Sequence, residues 1–305
     1  MTAMPAFGSE ARKQALLDDL RAQGPFFAEC LSHASVETDI TETVKAQNLH
    51  PALVRLLGIL GQYGMDEEGR AFQIAALDAL PVGADPLQAI RCWFLALWSH
   101  PAYSLAATLE GTDMLDPAEA IIALVKQSRA EPVDRQTWRK ARSALIAAME
   151  APAVEKETND DEASQNETAS LADPILSMAW DLEQTPGAAS DVANASGGRI
   201  FWNAHAHDHD QFTETESEAL MASYRQFHEQ AVESIGELTP GDAEQYAAYQ
   251  TALDGLWAKA PEAQALKTRS DERQERVKAI SAAWRQAARN ALLDCIKTPS
   301  ASTAA

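Results

Sequence analysis

Five junctions in this chain place a candidate helix cap directly before proline: His50-Pro51, Asp85-Pro86, Asp116-Pro117, Asp173-Pro174 and Thr239-Pro240. Proline suits the first helical position, because the N–H it lacks would have no partner there and its fixed φ is already helical. Thr213 with Glu216 is a capping box, and Asp85 with Gln88 and Asp116 with Glu119 are aspartate versions of it. The apolar spacing agrees with these starts. Val277, Ile280, Trp284, Ala288, Ala291 and Cys295 recur every three or four residues, as do Leu220, Tyr224, Phe227, Ala231 and Ile235, and Trp138, Ala141, Leu145 and Met149. Residues 92–98 are apolar without interruption, the mark of a helix buried on all sides. That helix also contains Arg91 and is too short to cross a bilayer.

These signals predict an all-α fold. Helices are expected near 10–23, 25–33, 36–47, 51–63, 67–80, 86–98, 101–110, 117–130 and 135–149, as a multi-helix bundle or an irregular helical-repeat stack. The starts at 51, 86 and 117 come close to a helix-hairpin period, and His-Pro-Ala recurs at His50 and His100. Three further helices, near 214–236, 242–258 and 271–297, predict a C-terminal three-helix hairpin or bundle. The domains are expected at 1–150 and 201–305, joined by an acidic flexible linker at 151–200. Residues 151–170 hold six acids, one base and almost no large apolar side chain, and 185–199 is rich in small residues. Between them, residues 171–183 form a short amphipathic helix. The only stretch resembling a strand is 199–204, and one strand makes no sheet.

Charge limits the partners. The chain carries 45 acids against 25 bases, with 22 acids and 4 bases in 151–266 and 8 bases and 4 acids in 267–305. Such a surface repels nucleic acid and attracts basic proteins. No run of about 20 apolar residues is present, so no membrane partner is expected. The first ten residues show no basic patch followed by an apolar run, so no secretory signal is expected either. The three cysteines, Cys30, Cys92 and Cys295, are odd in number and widely separated, which predicts packed thiols and a cytoplasmic location. Cys30 and His33 share a helical face, but no third catalytic group accompanies them.

Two sites stand out. Ile175, Leu176, Trp180 and Leu182 form one sticky face on 171–183, suited to a partner's hydrophobic groove unless it docks on its own chain. His205, His207 and His209 alternate with Ala206 and Asp208. In an extended segment they would share a face about 7 Å apart, a candidate site for Zn or another transition metal, with Asp208 and Asp210 in support. The order His-Ala-His-Asp-His-Asp departs from the His-x-His-x-Asp-His of metallo-β-lactamase-like enzymes. Asn203 stands where amidohydrolases have Asp, so no catalytic role is carried over. Trp180 and Trp202, in the polar middle, are expected to be covered by a domain or a partner.

The leading expectation is a non-enzymatic protein–protein interaction protein of the adaptor, scaffold or chaperone-like kind, without a cofactor. A metal-binding or metal-dependent hydrolase-like protein centred on the three histidines is the alternative. An acidic decoy that neutralises a basic partner is the third reading.

Overall fold

The computed structural model describes residues 6–23, 48–62, 67–151, 171–236 and 238–298. The expected helices at 25–33 and 36–47, the Cys30–His33 pair and the acidic run 152–170 lie outside the described residues. The fold is all-α. Eleven α-helices occur among the described residues, with no strand: α1 Glu10–Gln23, α2 Pro51–Leu60, α3 Glu67–Ala79, α4 Pro86–Trp98, α5 Leu115–Gln127, α6 Arg135–Glu150, α7 Asp173–Met178, α8 Ala188–Ala206, α9 Glu214–Ile235, α10 Ala243–Ala258 and α11 Pro261–Lys297. No helix is long and apolar enough to cross a membrane among the described residues.

The caps account for the starts. Asp85 accepts from the Leu87 amide at 2.9 Å, and Thr213 and Glu216 exchange both bonds of the capping box. The reciprocal bond expected from Gln88 is not made, since its Oε1 is buried without a partner among the described residues. Three expected starts move. α5 begins at Leu115 and α7 at Asp173, so Asp116 and Asp173 sit inside the first turns and cap neither helix. Asp242, accepting from the Gln245 amide, caps α10 in place of Thr239. The stretch at 101–110 is a series of turns with a 3₁₀ segment at Ala107–Leu109, not a helix.

Contacts divide the chain into two compact units, Met1–Arg199 with Ala283–Ala305, and Ile200–Ala282. Residues 171–199, read above as connector, belong to the first. In it, α1 packs on α3, α3 on α2, α2 on α4, α4 on α5, α5 on α6, and α7 on both α5 and α6. Trp93, Phe94, Ile90, Leu53, Leu56, Leu57 and Leu77 are almost wholly buried among them. In the segment expected to be flexible, residues 188–199 are helical and 185–187 form the turn before them. A Cβ on Gly197 would lie 2.6 Å from the Trp284 ring, so glycine there lets α8 approach the indole. Burial against Trp284 overrides a locally weak helix sequence.

The second unit contains α9 packed on α10, with Leu220, Phe227 and Trp257 at its centre. Tyr224 and Phe227 meet the Trp257 ring edge-on, with centroids 4.9 and 4.8 Å away.

Cys92 on α4 and Cys295 near the end of α11 form a disulfide, which corrects their expected state as packed thiols. The same two helices are tied by the Trp93 indole, which donates to the Ala288 carbonyl at 3.0 Å. Leu292 and Ile296 are buried along this contact. The bond closes a sequence separation of 203 residues. Chain entropy then favours the folded state by about 5 kcal/mol at most, and engineered cases commonly yield less. Thiol titration in denaturant should find two more thiols after reduction than before. Reductant should lower the melting temperature of the wild-type chain but not of the Cys92→Ser/Cys295→Ser variant. An equal thiol count before and after reduction would refute the pairing.

His50 and His100 use their His-Pro-Ala sequences alike. Each Nδ1 accepts from the amide two residues on, at 3.1 Å for Ala52 and 3.2 Å for Ala102. His50 is 8% exposed. Burial, helped by Arg91, holds its imidazole below the ordinary 6.5, against the opposing pull of Asp85, Glu183 and Asp181. The unfolded chain therefore binds the proton more readily than the folded one. This contribution to stability is complete above about pH 6.5 and is lost as pH falls below it. The melting temperature should drop from pH 7 to pH 5, and His50→Asn, which caps without titrating, should flatten that slope. The same slope in variant and wild type would exclude His50 as its source.

Candidate functional site

The histidine-rich segment lies in the second unit, and its geometry differs from the expected extended strand. His205 is in the last turn of α8, and His207 and His209 follow it in a turn. A helical end does not put residues two apart on one face. Arg273 donates to His205 Nδ1 at 3.0 Å, which occupies that lone pair. His207 Nδ1 donates to the Asn203 carbonyl, and His209 points to solvent with 79% of its side chain exposed. Among the described residues no group of three or more His, Cys, Asp or Glu is placed to hold a metal ion.

What the segment builds instead is an arginine clasp. Arg269, Arg273 and Arg276 follow one another by four and three residues on α11 and so share a face. Arg276 forks onto Asp208 at 2.8 and 2.9 Å, and Arg269 reaches Asp210 at 3.0 Å and Glu216 at 2.6 Å. Arg273 donates to the His205 carbonyl at 2.6 Å and to Gln211. Arg269 also stacks on Phe212, 4.6 Å from its centroid. The Arg276 hydrogen bonds hold the Asp208 carboxyl far below the usual range. Asp208 and Asp210 are therefore counter-ions of arginines. His228, on α9, bonds the Tyr249 hydroxyl at 2.7 Å.

The segment 171–183 packs on its own chain. Ile175 and Leu182 are buried, Leu176 is half-buried, and α7 lies against α5 and α6. The apolar side of this helix is thus covered by its own chain, the second of the two placements expected for it. Trp180 remains 46% exposed, with the Arg142 guanidinium 4.4 Å from its centroid. Trp202 is 66% exposed against the edge of Phe201, so the expected cover over these two indoles is absent among the described residues.

Where this strap crosses α6 it bounds a cleft of about 710 Å³ in the first unit. Arg91, Arg129, Arg135, Arg139 and Arg142 line it, with Trp138 and Trp180. Arg142 donates to the Ala179 carbonyl at 2.7 Å, and Arg135 bonds the Gln184 side chain. Burial pushes the guanidiniums of Arg91 and Arg142 below their ordinary value, and for Arg142 the neighbouring Arg139 and Arg135 add to the effect. The carboxylates in the lining, Glu131, Asp181 and Glu183, are all exposed. Trp138, first of the apolar stripe on α6, is half-buried at this cleft. The signal was present in the sequence: α6 carries Arg135, Arg139, Lys140 and Arg142 and no acid before Glu150. Averaging charge over residues 1–150 hides it.

Arg276→Gln should release the turn that Asp208 organises. Hydrogen exchange at the Asp210 amide, which donates to Asp208 Oδ1 at 2.9 Å, should quicken several-fold, while amides within α10 keep their rates. Unchanged exchange at Asp210 would show that the clasp does not order the turn. Comparison of the chain with protein families, curated proteins and solved structures finds no match.

Proposed function

We propose that this chain is a non-enzymatic interaction protein of the adaptor or scaffold kind, whose contact face is the α6–strap cleft of the first unit. The observation that carries this reading is the exposure of Trp180 in a cleft that Trp138 and the arginines of α6 also line. Tryptophan and arginine are the residue types that dominate binding energy at protein contacts. The acid excess of residues 151–266 supports long-range steering of a basic partner domain. The cleft itself suits a segment of the opposite sign, so the partner presents both. A cytoplasmic setting fits the composition less well once Cys92 and Cys295 are paired, since structural disulfides are rare where thiols are kept reduced.

The test is retention of partner proteins on the immobilised full chain. Trp138→Ala and Trp180→Ala should each abolish retention of a defined subset at matched melting temperature, with Trp202→Ala retaining it. The same proteins held equally by all variants would place the contact face elsewhere.

A further inference from the structure

Two arginine triads in this chain share one spacing. Arg269, Arg273 and Arg276, and Arg135, Arg139 and Arg142, each follow one another by four and three residues along a helix. The first triad meets Asp208, Asp210 and Glu216. In the second, the bonds go to neutral groups, the Gln184 side chain and the Ala179 carbonyl, and to the Trp180 ring. Among the described residues, none of Arg91, Arg135, Arg139 and Arg142 has a carboxylate within ion-pair distance, although the chain carries 45 acids. Arg135 and Arg139 repel the neighbouring Arg142 along α6, and partial burial of Arg91 and Arg142 without a contacting counter-ion is unfavourable. Internal pairing relieves this in the clasp. In the cleft no carboxylate touches these guanidiniums, and Asp85, Asp181 and Glu183 act on Arg91 only at longer range, so an anion seated among them would complete the pairing.

The geometry points to a peptide-borne oxyanion, a phosphate or a pair of carboxylates, seated between Arg91, Arg139 and Arg142. Guanidinium forks match such groups bidentately. Peptide is favoured over a bare ion by two features. The volume far exceeds that of one phosphate group, and indoles flank the arginines to take apolar neighbours of the charged residue. Gln88 also lines the cleft, with its Oε1 buried and lacking a donor among the described residues. A backbone N–H of an extended segment would satisfy it. The exposed carboxylates Glu131, Asp181 and Glu183 disfavour a highly charged polyanion and so favour a short charged motif.

This inference rests on the interaction reading, and the experiment separates the two. Calorimetric titration of the full chain uses four probes: a peptide with two phosphoserines flanked by leucine and tyrosine, its Glu-Glu counterpart, its Ser-Ser counterpart, and inorganic pyrophosphate. The charged peptides should bind at least roughly tenfold tighter than the Ser-Ser peptide, with affinity falling steeply as salt rises. Tighter binding of the phosphorylated or of the Glu-Glu peptide names the source of the anion. Arg139 is exposed, so Arg139→Gln should leave the melting temperature unchanged while weakening the charged peptides roughly tenfold. Lys140→Gln, on the same helix but outside the lining, should have little effect. Equal binding of all three peptides, unchanged by Arg139→Gln, would overturn the anion site and keep the interaction face. Pyrophosphate binding that depends on Arg139, with no peptide binding, would keep the anion site and overturn the interaction face. Absence of binding by all four probes would overturn both.

Discussion

Four helices in this chain end on carbonyls that basic side chains from other helices satisfy. Lys13 of α1 donates to the carbonyls of Asp78 and Leu80 at the end of α3, at 2.6 and 3.0 Å. Arg289 of α11 donates to Leu60 at the end of α2, Arg142 of α6 to Ala179 after α7, and Arg273 of α11 to His205 at the end of α8. The last carbonyls of a helix have no partner within it and carry its negative dipole end, so a cation there supplies both a hydrogen bond and a favourable charge. Lys13 and Arg289 are 8% and 3% exposed, which puts these bonds where water cannot replace them. A charge-assisted bond of this kind contributes roughly 1.5–3 kcal/mol, and its loss would leave both donor and acceptor buried. The chain has few bases, and these contacts fix which helix ends meet which helix faces.

That use of arginine also explains the histidine-rich segment. Three arginines reaching over a helix end need acceptors beyond the carbonyls, and Asp208, Asp210 and Glu216 provide them. Once the two aspartates are paired, a cation in the same turn would face guanidiniums as well as carboxylates. The cluster that resembles a ligand set in one dimension is a set of counter-ions in three. The opposite outcome holds on α6, where the same spacing of arginines meets a strap whose hydrogen bonds to them come from neutral acceptors, the Ala179 carbonyl and the Gln184 side chain.

The returning end of α11 is held by chemically different bonds in one short stretch. A disulfide at Cys295, an indole bond at Ala288, a guanidinium bond from Arg289 and the buried Leu292 and Ile296 all seat it against α2 and α4. The apolar stripe through Trp284 and Ala288 predicts that this face is buried, because burying it is favourable whatever the neighbour. It does not say which neighbour, since any apolar helix face would serve.

The same distinction sorts what the sequence makes legible. Helix starts depend on residues within four positions of one another, so Pro51, Pro86, Arg135 and Glu214 are readable from His50, Asp85, Asp134 and Thr213. The apolar stripes of α9 and α11 are readable for the same reason. What is not readable depends on distant partners. Residues 188–199 look unstructured because small residues and Gly197-Gly198 give weak local preference, and distant groups such as Trp284 and Thr108 supply the contacts that make closeness favourable. Cys92 and Cys295 are too far apart for spacing to pair them. The alternation of His205, His207 and His209 carries meaning only on a strand, and the helix signal from α8 had to be known first. The cleft lies between these cases: the basic run of α6 is local, whereas which groups of the strap meet it, the Ala179 carbonyl and the Gln184 side chain, is a property of packing alone.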